Sequence, residues 1–279
     1  MQKKLFINTI LGLLLVIGMN SVQAADALVF GVHPFKKPAK LHAMFRPIVK
    51  HVSKTLNREV KMVIGKSYAD VLKKHQAGKI DFGYFGPSLF VIASKDPGVI
   101  PLARIMPKGK GSFQGVVVVR KDSNISDLAG LKGKKFAFGD PESTLSHYVP
   151  HYMLMQQGIK LADLGKYAFT GNHDNVALAV LNKAFDAGGL KPGVAKKYLG
   201  KGLKILATSE PVAEHLFAAS PTLEPALREQ IKSALLNADV AVLKSIKSSI
   251  TGMEAAKASD YDDLAKILHA VDTEDPVKK

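Results

Sequence analysis

The sequence predicts an α/β protein of two lobes, each a mainly parallel sheet flanked by helices. Three observations lead there. Strand-like and helix-like segments alternate along the chain, the rhythm of a mainly parallel sheet. The rhythm restarts after the continuous apolar run Val116 to Val119, so there are two α/β halves. Neither an internal repeat nor a low-complexity linker separates them, so the chain crosses between lobes through strands, near Val116–Arg120 and Thr208–Phe217.

The first 24 residues stand apart. Lys3 and Lys4 give a positive start, "TILGLLLVIGM" is a short apolar core, and "VQA" ends in a small-x-small cleavage pattern at Ala24. This reads as a secretory signal peptide cut before Ala25. An uncleaved anchor is the alternative, but the polar "NSVQA" interrupts the apolar run and no stop-transfer flank follows. The first lobe is then expected over 25–117 plus 213–279, and the second over 118–212.

The elements follow in order. "ALVFGVHP" reads as a strand ending in a loop. "LHAMFRPIVKHVSKTLN" carries Met44, Phe45, Ile48, Val49, Val52 and Leu56 at helical spacing. "EVKMVIG" alternates like a strand, and "SYADVLKKHQAGK" is a short helix closed by Gly78. "IDFGYFG" is a strand, "PSLFVIASKD" a helix, and "GVIPLARIM" a strand again. The valine run in "FQGVVVVRKDS" suits a strand buried on both faces. "GKKFAF" is a strand, followed by a helix from about Leu145. "KYAFTG" is a strand and "HDNVALAVLNKA" a helix. "FDAGGLKPG" reads as a loop and "KILATSE" as a strand. "PTLEPALREQIKSALLNAD" and "DYDDLAKILHAV" are helical.

Composition narrows the partners. With no cysteine in 279 residues, there is no disulfide framework and no site for the usual bacterial lipid anchor. The chain must hold itself together by burying a core. Without Lys3 and Lys4 the 39 basic residues fall to 37 against 24 acids, a net charge of +13. The lysines are scattered and lack the aromatic interleaving of a single-strand nucleic-acid binder. Long-range attraction of small anions fits this pattern.

In open α/β sheets, ligands bind outside the carboxyl ends of strands, where helices begin. Five such loops carry hydroxyls, histidines or glycines: Pro34–Lys36, Ser67–Tyr68, Tyr84–Ser88, Asp140–His147 and Gly171–Asp174. In "GDPESTLSHYVP", Asp140 can cap a helix with Pro141 at its first position. Ser143 and Thr144 then fall in the first turn, where free N–H groups and the helix dipole favour an oxyanion. Plain capping by Ser143 is the alternative. His147 and His151 have i, i+4 spacing, but no acid accompanies them, which favours hydrogen-bonded or solvent-facing histidines over a metal site. His173 opens a helix and can donate to an oxygen; a turn histidine is the alternative. Tyr68 and Tyr84 can wall off a small ligand or simply pack.

Catalytic signatures are missing. There is no Gly-x-Ser-x-Gly elbow, no phosphate-cradling Gly-Lys-Ser/Thr loop and no His-Glu-x-x-His. No acid is placed to orient a histidine toward Ser143. The expectation is a binding protein without cofactor or metal, not a hydrolase.

Several segments, in order and spacing, resemble one family: "YADVLKKHQAGKIDFGYFGPS", "VVVVRKDSNISDLAGLKGKKFAFGDPEST", "GNHDNVALAVLNKAFDAG" and "TSEPV". The chain resembles the phosphate/phosphite/phosphonate substrate-binding proteins of ABC transporters, with the type II periplasmic binding protein fold, from about Leu28 to Ala270. The resemblance implies a soluble periplasmic monomer that closes two lobes on a small tetrahedral oxyanion and delivers it to an inner-membrane permease. It implies no nucleic-acid partner. The same fold could instead present its anion to a membrane sensor kinase or chemoreceptor. The family's Ser-Thr-Ser run maps to Ser143, Thr144 and Leu145, with Ser146 following. Its cleft histidine maps to His173 and its first-lobe tyrosine to Tyr68. A second family tyrosine falls at Phe113 or Gln114. A carboxylate that serves aminoalkyl groups falls near His215, which is not itself an acid. The expected ligand contacts are Tyr68, Tyr84, Ser88, Ser143, Thr144, Ser146, His173 and His215.

Overall fold

The structure, a computed structural model, describes residues 26–95 and 98–274. The expected signal peptide lies outside the described residues. The first half runs β1 (Leu28–Val32), α1 (Pro38–Leu56), β2 (Val60–Ile64), α2 (Tyr68–Gln76), β3 (Phe82–Phe85), α3 (Pro87–Ala93) and β4 (Ile100–Pro107). Next come β5 (Ser112–Phe113), β6 (Val116–Arg120), β7 (Lys135–Phe138), a π-helical turn Thr144–Tyr148, α4 (Val149–Met155), β8 (Lys166–Phe169) and α5 (His173–Leu181). β9 (Ala187–Leu190), α6 (Pro192–Leu199), β10 (Leu203–Thr208), β11 (Val212–Ala213) and β12 (Leu216–Ala219) follow. The chain ends with α7 (Pro225–Leu236), α8 (Val240–Lys244), β13 (Ile250–Ala255) and α9 (Asp262–Glu274).

Two sheets organise these elements. The first has the order β13-β4-β12-β3-β1-β2, the second β10-β6-β9-β7-β8. Each sheet is mixed. β1 pairs parallel with β2 and β3, and β7 pairs parallel with β8 and β9. The remaining pairs are antiparallel. Between the sheets β5 and β11 form a short antiparallel ribbon, Phe113 opposite Val212. This ribbon is where both chain segments cross.

The cores follow from the periodicity. α1 buries Leu41, Met44, Phe45, Ile48 and Val52 on one stripe, against Phe30, Phe82 and Phe217 of the first sheet. Pro38 opens the helix and Asn57, at φ 46°, ends it in the left-handed conformation. The valine run behaves as a doubly buried strand: Val117 and Val119 join one core, Val116 and Val118 the other.

Three sequence expectations change. "AGGL" in the expected loop is strand β9, held between β6 and β7. Val116 and Val117, expected in the first lobe, pair within the second sheet. α9, expected with the first lobe, packs Leu264, Leu268 and Val271 into the second sheet's core. Its Glu274 Oε2 lies 2.5 Å from His151 Nε2 on α4.

Candidate functional site

Each of the six parallel strands ends at one cavity between the sheets. His33 follows β1, Tyr68 opens α2 after β2, and Ser88 opens α3 after β3. From the other sheet, Ser143 follows β7, His173 follows β8 and Lys191 follows β9. Phe113 and His215, on or beside the crossing ribbon, close the remaining side. The cavity measures about 30 Å³ over the centres of water-sized spheres. One such sphere needs about 10–15 Å³, so two or three small groups fit. Larger hollows of about 510 and 580 Å³ lie by α4 and α9 and at the cleft mouth. The first contains none of the strand-end groups, so the small cavity is the candidate.

The turn after β7 differs from the expected cap. Asp140 Oδ1 accepts from Glu142 N at 2.9 Å and so closes a local turn, not a helix start. The helical run begins at Thr144, with Ser143 as its cap. Ser143 Oγ accepts from Ser146 N at 3.3 Å and from Ser146 Oγ at 2.7 Å. Two accepted bonds occupy both lone pairs. The Ser143 proton is left to point into the cavity. Ser146 itself lies beneath, packed so close to Gly139 that a Cβ there would sit 2.1 Å from its Oγ. The backbone N–H groups of Thr144 and Leu145 have no acceptor among the described residues. They belong to the open first turn of a helical run that continues into α4.

Thr144 and Ser88 join the lobes. Thr144 Oγ1 accepts from Ser88 N at 2.9 Å. Ser88 Oγ donates to Glu142 O at 2.5 Å, so the Thr144 hydroxyl donates to Ser88 Oγ across 2.8 Å. Both hydroxyls line the cavity, but their protons are used between lobes.

The three cavity histidines have distinct roles, each fixed by its other ring nitrogen. His173 Nδ1 accepts from Lys191 N at 3.3 Å, so its neutral ring carries the proton on Nε2. Burial, then the nearby Lys191, holds its pKa well below the usual histidine value. His33 Nδ1 lies 3.2 Å from the Tyr84 carbonyl, which can only accept. Burial, then His215, pushes the His33 pKa down to about 3. His215 Nδ1 sits 2.8 Å from Glu214 Oε2. Burial alone would raise the Glu214 pKa. His215 and Lys247, whose Nζ is 2.7 Å from Oε1, outweigh burial and hold it down to about 2.

Lys191 contributes the one ammonium of the wall. Its Nζ stands 5.4 Å from the Phe35 ring centroid and has no carboxylate within salt-bridge distance among the described residues. Burial, then Lys36, pushes its pKa down to about 8. The Tyr68 phenol, pushed upward by burial and then by Asp140 and Glu142, stays a donor.

A profile described as "ABC transporter, phosphonate, periplasmic substrate-binding protein" matches residues 30–261, most of the chain. The chain belongs to this family. The Phosphate-import protein PhnD of Mycolicibacterium smegmatis is 29% identical, over 75% of this chain and 70% of its own length. The Probable ABC transporter phosphite binding protein PhnD1 of Prochlorococcus marinus is 30% identical, over 75% of this chain and 76% of its own. A solved structure of that PhnD1, in complex with methylphosphonate, superposes with a TM-score of 0.79 at 26% identity, covering 88% of this chain and 98% of that one. The fold is thus that of the two-lobed periplasmic binding proteins, and no helix among the described residues is long and apolar enough to cross a membrane.

As a phosphonate-family substrate-binding protein, the chain brings five of its eight expected contacts directly to the cavity: Tyr68, Ser88, Ser143, His173 and His215. Thr144 also lines it, with its hydroxyl spent on Ser88. Tyr84 does not reach it. Its ring is packed in the first core and stacks on His215 at 5.3 Å. Ser146 lies in support of Ser143. At the position of the family's second tyrosine, Phe113 gives an apolar wall, while Gln114 donates to Ser209 O. His147 and His151 are buried, bonded to Pro141 O and to Glu274. Two wall residues escaped the sequence reading. His33 stood one residue outside the loop assigned to Pro34–Lys36. Lys191 followed a strand read as loop.

Proposed function

We propose that the cavity holds a small tetrahedral oxyanion of the phosphate, phosphite or phosphonate type, which the protein delivers to an ABC importer. One observation carries this. The wall combines an ammonium, three imidazoles and two free hydroxyl donors, and contains no carboxylate. Ser143, Tyr68, His173 and Lys191 contact the ligand in this reading. Thr144 and Ser88 close the lobes over it, Ser146 orients Ser143, and Tyr84 backs His215. An aminoalkyl substituent would meet Lys191 and find no counter-charge, so the ligand has no ammonium group.

The mature protein acts as a periplasmic monomer released by cleavage after Ala24, without cofactor. Its two lobes, one built on each sheet and the second also carrying β6 and α9, pivot at the β5–β11 ribbon. Calorimetric titration of the purified protein with phosphate, phosphite, methylphosphonate and aminoethylphosphonate tests the reading. Binding of one or more of the first three, and weaker binding of the last, is expected. Failure of all the anions to bind would sink it.

A further inference from the structure

The hydrogen-bond polarity of the wall selects more narrowly than its charge. Four polar groups facing the cavity donate: the Ser143 and Tyr68 hydroxyls, His173 Nε2 and Lys191 Nζ, while His215 turns its Nδ1 away to Glu214. His33 is different. Its Nδ1 is committed as a donor to the Tyr84 carbonyl, a buried backbone acceptor. The ring is 1% exposed and packs edge-on against Tyr68, with centroids 4.4 Å apart. The Phe35 ring stands 4.9 Å away on another side. Among the described residues no carboxylate lies beside it to favour a second ring proton. Nε2 is therefore a lone pair, with no partner among the described residues. It approaches the cavity beside Gly86, where a Cβ would lie 3.8 Å from it and 4.0 Å from His215 Nε2.

A lone pair facing a fully deprotonated oxyanion opposes another lone pair. A lone pair facing a protonated oxygen makes a hydrogen bond. We infer that His33 is a specificity-determining residue whose Nε2 accepts the hydroxyl proton of the bound ion, so that the site selects hydrogen-bearing oxyanions and rejects sulfate. This rests on the oxyanion reading above and narrows it. At neutral pH inorganic phosphate keeps at least one P–OH, whereas sulfate keeps none. The two ions otherwise share size and shape. A site built around a buried polar group rejects an analogue that cannot pair with it.

The test is the ratio of inorganic phosphate to sulfate affinity at pH 7, measured by calorimetry on the mature protein. Wild type is expected to favour phosphate by at least about a hundredfold. In His33→Gln the side-chain amide can turn either its oxygen or its NH₂ toward the ligand, so sulfate gains and the ratio falls to within about tenfold. A thermal melt shows whether the variant is folded. If it is not, His33→Asn, which keeps a donor for the Tyr84 carbonyl but does not reach the cavity, takes its place with the same expectation. Phosphate bound with no preference over sulfate, or a folded variant with an unchanged ratio, overturns the role of His33 and leaves the oxyanion reading standing. Loss of every anion from the wild type overturns both.

Discussion

Ser143 is made a donor by a neighbour three residues on. Ser146 gives it an N–H and an O–H, which leaves the Ser143 proton for the cavity. Ser143→Ala is expected to weaken phosphate binding by about 1.5–3 kcal/mol, as for hydrogen bonds to charged groups. Ser146→Ala touches no ligand but frees the Ser143 hydroxyl to rotate. A smaller loss, about 0.5–1.5 kcal/mol, is expected by calorimetry. Another residue governs acid stability. Both ring nitrogens of His75 are buried without a partner among the described residues, and burial pushes its pKa down to about 4. The folded form therefore binds a proton more weakly than the unfolded chain. The stability from His75 is intact above the ordinary histidine value of about 6.5 and is lost as pH falls from there toward 4. On the order of 3 kcal/mol is at stake. His33, also pushed down, acts with the same sign. Thermal midpoints measured from pH 7 to pH 4 should fall, and His75→Leu should flatten the fall.

At the scale of elements, the informative case is β9. Ala187, Gly188 and Gly189 carry little strand propensity, so the segment reads as loop. The strand exists because small residues are needed there: a Cβ on Gly189 would lie 2.2 Å from Pro150 Cγ of α4. Tertiary packing, invisible to local pattern, decides the element, and Lys191 was hidden with it. Gly189→Ala is expected to push α4 from the sheet and cost about 1–3 kcal/mol, read from the urea midpoint. The converse error concerns Tyr84. Tyr84 was expected among the ligand contacts, as a wall of the cleft. It packs beside Phe82 in the first core, because residues two apart on a strand share a face, and β3 is buried on both sides. Tyr68, Ser143 and His173 were legible for a common reason. Each stands at a junction where a strand period of two gives way to a helix period, and such junctions face the cleft.

At the scale of the molecule, the plan is the same in each half: three parallel strands deliver three side chains to the shared cavity. The alternation and the valine run revealed that plan. The return of α9 to the second core was not readable, since an amphipathic stripe does not name the surface it covers. Charge also works at this scale. The cleft mouth carries Lys36, Lys37, Lys40 and Lys197 against Asp174. Association of phosphate, followed by stopped flow, should slow severalfold as ionic strength rises from about 0.01 to about 0.15 M, where the Debye length shrinks from about 30 to about 8 Å. Dissociation should change little.

The Ser88–Thr144–Glu142 contacts set how long the cargo stays. They touch both lobes, so they must break before the ion can leave. Each kcal/mol they add to the closed form multiplies the dwell time about fivefold. A scavenger profits from a long dwell, yet a carrier must empty itself at the membrane. The permease therefore has to supply the work of parting two serine- and threonine-borne hydroxyls, and a carrier stripped of them would unload sooner and leak on the way.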